Sequence, residues 1–104
     1  MNNIFKDIPE DLSLEVFEDL TKSKNIKIER IISKGHSSPE TGWYDQTQNE
    51  WVIVLKGEAI LTFDNKPDIK LCQGDYLNIA AHQKHKVSWT TSEEETIWLA
   101  IHYD

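Results

Sequence analysis

Residues 49–63 read NEWVIVLKGEAILTF: one acid, Glu50, heads an apolar run, and a single glycine, Gly57, interrupts it. The β-branched and aromatic residues on either side of Lys56-Gly57-Glu58 predict two strands, and the glycine predicts a tight bend between two paired strands. Both halves are too apolar for a strand that shows one face to water. Glu50 is the anomaly. It is either the solvated first residue of its strand or a side chain pointing into a cavity.

The flanking sequence continues the β pattern. Upstream, NIKIERIIS (25–33) puts Ile26, Ile28 and Ile32 on one parity and Lys27, Glu29 and Ser33 on the other. GHSSPETG after it reads as a loop. Downstream, Asp64-Asn65-Lys66-Pro67 ends the second apolar strand, and short strands are predicted at 69–72, 76–79, 84–91 and 96–103, with a Glu-rich turn at 93–95. Only the N-terminus departs. Leu12, Val16, Phe17 and Leu20, spaced by threes and fours behind Pro9 and Asp11, predict one short helix. The division expected is an arm with a short helix over 1–24 and an all-β sandwich or barrel, a small jelly roll, over 25–104.

Composition narrows the function. The chain has 104 residues, room for one compact domain and one site. Eleven Lys plus Arg against 18 Asp plus Glu give a formal charge of -7, which repels a phosphate backbone or an anionic bilayer, so neither nucleic acid nor membrane is an expected partner. The longest apolar run, Trp51 to Leu55, is far shorter than a membrane span, and MNNIFKDIPEDL has no basic region followed by an apolar stretch. A cytoplasmic protein is expected. A single cysteine, Cys72, excludes an internal disulfide and a thiolate zinc cluster from one chain, and it reads as a small buried hydrophobe. Any metal would have to use imidazole, carboxylate or amide ligands.

The strand HKVSWT places polar Lys86, Ser88 and Thr90 on one parity, so His85, Val87 and Trp89 should face the interior. An inward histidine is either a core imidazole bonded to a hydroxyl or carbonyl, or a functional group. Two more imidazoles bear on that choice. His82 lies three residues before His85, and His36 continues the parity of Ile26, Ile28 and Ile32 beyond their strand. On one barrel the three could converge at its mouth.

Taken together, these motifs resemble the cupins. Glu50-WVIVLK-Gly57 matches the end of the first cupin motif, a glutamate, six residues and a glycine. Gly74-DYLNI-Ala80-Ala81-His82-Gln83-Lys84-His85 keeps the opening glycine and closing histidine of the second motif, with Ala80 and His82 at its proline and second glycine. The resemblance spans roughly residues 25–103 and implies a double-sheet barrel with the site at its mouth, often a homodimer. It also implies Glu50 and His85 as ligands of a divalent transition metal. The first motif's His-x-His is missing. Its positions hold Tyr44 and Gln46 in one register, Trp43 and Asp45 in the other, leaving Asp45 or Gln46 as a third oxygen ligand and His36 or His82 as replacement imidazoles. Such a donor set, without thiolate, would suit Fe(II), Mn(II), Ni(II), Zn(II) or Cu(II).

Trp43, Tyr44, Trp51, Trp89 and Trp98 are many aromatics for so short a chain, and Tyr44 and Trp89 are expected to line the pocket. Two functions remain open. One is a metal-binding cupin that oxidises, isomerises or hydrolyses a small molecule, with His82 and Tyr44 as candidate proton-transfer groups. The other is a metal-free cupin that binds a small ligand or mediates assembly without catalysis.

Overall fold

Alternation of side chains in the long apolar stretch is what builds the molecule. In a computed structural model, which describes residues 1–39 and 41–104, β3 (Asn49–Lys56) buries Glu50, Val52 and Val54, and β4 (Ala59–Phe63) buries Ala59, Leu61 and Phe63. The two buried rows face each other. The remaining strands are β1 (Val16–Lys22), β2 (Ile26–Ser33), β5 (Ile69–Leu71), β6 (Tyr76–Ile79), β7 (His85–Thr90) and β8 (Thr96–Tyr103). All pair antiparallel in two sheets, one ordered β1-β2-β8-β3-β6 and the other β5-β4-β7. Their inner faces enclose a core of Val52, Val54, Leu61, Phe63, Ile79 and Trp98, giving the double-sheet jelly roll that the sequence implied.

Gly57 makes the bend, but the strands on either side do not pair as expected. β3 belongs to the large sheet and β4 to the small one, so the bend carries the chain across the core. Only glycine fits there. Its φ is +88°, and an added Cβ would lie 2.7 Å from the Thr96 Cα and closer still to the Thr96 hydroxyl.

The short N-terminal helix is replaced by β1. Phe17 and Leu20 stay more than half or nearly half exposed, so a helical stripe finds no apolar surface to dock on. The free edge of β2 instead takes up the backbone hydrogen-bonding groups of residues 16–22, from Val16 opposite Ile32 to Lys22 opposite Lys27. The preceding arm folds over the outer face of β2. There the buried Arg30 guanidinium donates to the carbonyls of Ile4 and Lys6 at 3.1 and 2.7 Å and to the Glu18 carboxylate at 2.7 Å.

That cover inverts the expected reading of β2. Ile32 is fully buried on the outer, arm-covered parity, whereas Glu29, Ile31 and Ser33 lie on the parity of the inward residues Ala100, Trp98 and Thr96 of β8.

Candidate functional site

Between the two sheets lies a cavity of about 150 Å³. Its walls are apolar, from Ile31, Val52, Leu61, Ile79, Val87 and Trp98, and the half-exposed Phe17 and Tyr44 also border it. The polar groups on its surface are Glu15, Glu29, Gln46, Glu50, His85 and His102.

Glu50 points inward because it shares the parity of Val52 and Val54. The question raised by its position is settled: the acid is buried and meets an imidazole. His85 Nε2 lies 3.6 Å from Glu50 Oε1, an ion-pair contact slightly longer than a formed hydrogen bond, and the Gln46 amide donates to the same oxygen at 3.1 Å. His85 Nδ1 faces the Gln83 carbonyl at 2.9 Å and must therefore carry a proton, which leaves Nε2 for Glu50 and the cavity. Burial works against charge on both groups. It is outweighed for Glu50 by the His85 and His102 imidazoles and the Gln46 amide, which hold the carboxyl below its ordinary value. For His85 it is outweighed by the Glu50 carboxylate and the Gln83 carbonyl, which hold the imidazole above its ordinary value. Each group thus favours the charged form of the other, a carboxylate facing an imidazolium, in an apolar cavity.

The loop before β3 is pinned by backbone pairing. Tyr44 donates its N–H to the His85 carbonyl at 2.8 Å and accepts from the His85 N–H at 3.2 Å, with the two rings 5.6 Å apart. This fixes the register of WYDQTQNE. Tyr44 and Gln46 face the cavity, and Asp45 faces away to meet His82 Nδ1 at 2.8 Å on the surface. The His82 N–H also donates to the Gln46 carbonyl at 2.7 Å, tying the turn before β7 to this loop. His82 has a φ of +63°, which explains why its position in the motif is otherwise a glycine.

A second pair was not foreseen. His102 of β8 sits opposite Glu50 of β3, and its Nε2 meets Glu29 Oε1 of β2 at 2.8 Å, with both side chains buried. The alternation Trp98-Ala100-His102 was the available signal, and it puts all three on the cavity face. Glu29 was hidden by the parity reading of β2. Trp98 adds a buried indole N–H that has no hydrogen-bond partner among the described residues.

Four expected site residues lie elsewhere. His36 is held outside the cavity, its Nδ1 accepting from the Lys34 N–H at 2.8 Å and its Nε2 facing the Ser13 carbonyl at 3.3 Å. His82 and Asp45 form their own surface pair. Trp89 is turned outward, beneath the Lys70 ammonium at 6.0 Å, because the pairing with β4 slips at Ile60/Leu61: Val87 opposes Leu61 and Trp89 opposes Ile60, leaving Ser88 as an extra residue. The bulge reverses parity, so Thr90 is buried in place of Trp89. Tyr103 spends its hydroxyl on Asn78, away from the cavity lining.

The comparisons agree with this fold. The family model of the cupin domain matches residues 29–102. The chain is a cupin. A Ralstonia eutropha JMP134 protein named "putative mannose-6-phosphate isomerase" is 42% identical, with 100% of this chain and 97% of that one covered and a TM-score of 0.95. A cupin superfamily protein of Desulfitobacterium hafniense DCB-2 is 23% identical over 92% of this chain and 83% of that one, TM-score 0.75. An RmlC-like cupin with a double-stranded β-helix fold from Methanocaldococcus jannaschii is 16% identical over 93% and 86%, TM-score 0.73. Among curated proteins none matches.

The four positions at which cupin motifs place ligands all reach this cavity, and here they hold Tyr44, Gln46, Glu50 and His85. Among the described residues no three His, Cys, Asp or Glu side chains are grouped so as to hold a metal ion. The one imidazole and one carboxylate of the motif positions already engage each other, and their companions are a phenol and an amide. That donor set does not fit a divalent transition ion.

Proposed function

We propose that this cupin binds a small, largely apolar molecule without a metal, using the Glu50–His85 pair as its polar anchor. The observation that carries the reading is that pair itself: a 3.6 Å carboxylate–imidazole contact set among apolar walls. A cavity of about 150 Å³ has the size of one that admits a single aromatic ring. Among the described residues its lining contains Glu15, Glu29 and Glu50 and no Lys or Arg, so a phosphate dianion would have to compete with Glu50 for the His85 imidazole. The sugar phosphate in the name of the Ralstonia relative is therefore a poor guide to this ligand.

The test pairs elemental analysis of untagged protein, purified without chelators, with a panel of uncharged single-ring compounds followed by tryptophan emission. The expected outcome is no stoichiometric ion, no change in melting temperature with EDTA, and saturable emission changes that His85→Gln weakens. A near-stoichiometric Fe, Mn, Ni, Zn or Cu lost in both Glu50→Ala and His85→Ala would overturn the reading and restore the metal-binding alternative.

We also propose a homodimer through β1, which forms one edge of the large sheet and carries exposed Phe17 and Leu20 just after exposed Leu14.

A further inference from the structure

Resting on the metal-free reading above, we infer that Glu29 and His102 form a second acid–base pair of the same cavity, working opposite His85 on a small, uncharged, enolisable carbonyl compound. Both residues border the cavity, and they come from strands that neither cupin motif includes.

The protonation pattern follows from the partners of each ring. His102 Nε2 lies 2.8 Å from a Glu29 carboxylate oxygen, which can only accept, so Nε2 carries the proton. In the neutral ring Nδ1 is then a lone pair, and it has no hydrogen-bond partner among the described residues. Glu29 stands where it would stabilise the imidazolium formed when Nδ1 takes a proton, and it is itself supported by the Lys27 ammonium at 3.8 Å. His85 is arranged the other way round. Its Nδ1–H is spent on the Gln83 carbonyl, and its second proton, held by Glu50, is at Nε2. One imidazole is built to accept a proton and the other to give one. Glu50 lies between them, cross-strand from His102 and in contact with His85.

The ligand class follows from the rest of the lining. Among the described residues the lining holds three carboxylates and no Lys or Arg, which disfavours an anion. The His85 Nε2–H is a donor at the cavity, which suits a ligand carrying an acceptor such as a carbonyl oxygen. His102 Nδ1 would remove a proton from the carbon beside that carbonyl. The C–H electron pair becomes the new C=C bond, and the carbonyl π pair takes the proton from His85 Nε2. The products are an enol, a neutral His85 and a His102 imidazolium paired with Glu29. Reversal returns both protons, to the same carbon or to its neighbour in a hydroxycarbonyl compound, and no oxidant or reductant is consumed.

Cyclohexanone is a probe of the right size and polarity. Incubated with the protein in deuterated buffer, it should exchange its α-hydrogens for deuterium faster than in buffer alone, as read by proton NMR. His102→Gln should lower the enzymatic rate on the order of 100-fold, and His85→Gln should also slow it. Glu29→Gln tests the positioning role separately. It should slow exchange and also shift the His102 ring, in nitrogen-15 spectra, from protonation at Nε2 alone to a mixture of tautomers, a change that mere loosening of the fold would not single out. Melting curves of each variant establish that it is folded. Binding of cyclohexanone, seen in tryptophan emission, without exchange above buffer would overturn the inference and leave the metal-free reading standing. Unchanged exchange in folded His102→Gln would overturn it as well. Failure of cyclohexanone and of the whole uncharged panel to bind would overturn both.

Discussion

Glu50 and His85 help each other to stay charged, and the direction of each shift sets where in pH that help is felt. A carboxyl lowered from its ordinary 4.5 on folding contributes stability above that value and loses it as pH falls through the folded one. An imidazole raised from 6.5 contributes stability below that value and loses it as pH rises through the folded one. Both contributions are complete only between about pH 4.5 and 6.5. Urea unfolding of wild type and His85→Gln across pH 3–9 should therefore show the widest stability gap in that interval, narrowing on both sides. A gap that kept growing above pH 7 would contradict the pair. Glu50 and His85 were legible in the sequence through motif spacing and strand parity. Glu29 and Trp89 are not, because hydrophobic alternation alone puts each on the wrong face of its strand. The arm makes the outer face of β2 as buried as the inner one, and a single extra residue at Ser88 reverses the far end of β7.

The connection between β3 and β4 depends on Gly57 for two separable reasons, backbone conformation and space. Gly74 shares the positive φ, at +90°, but an added Cβ there would meet nothing within 4 Å. Gly74→Ala should cost about 1–2 kcal/mol, the conformational part alone. Gly57→Ala should cost on the order of 3 kcal/mol or more, since the Thr96 backbone must also move. Chemical denaturation of the two variants checks the difference, and equal losses would show that the approach of Thr96 is not limiting. The N-terminal element illustrates the opposite balance between local and tertiary preference. Its apolar spacing suits a helix, yet a helix needs a surface to bury that stripe, and what the fold offers is an unpaired strand edge on β2.

For the molecule as a whole, pairing along β1 should be visible in light scattering as a mass twice that of one chain. Phe17→Asp or Leu20→Asp should shift it towards the monomer, and a wild-type monomer at micromolar concentration would remove the proposed dimer. The all-β architecture, the bounds of β6 and β8, the inward Glu50 and His85 and the acidic charge followed from the sequence by itself. Each of these depends on local alternation, turn chemistry or a fixed motif spacing, which a linear chain carries in full. The course of β1, the cavity face of β2, the outward turn of Trp89 and the meeting of Glu29 with His102 were decided only by the tertiary structure. Glu29 and His102 stand at opposite ends of the barrel sequence, on neighbouring strands whose shared face is set by what covers the other side, and nothing in the spacing of the chain encodes that cover.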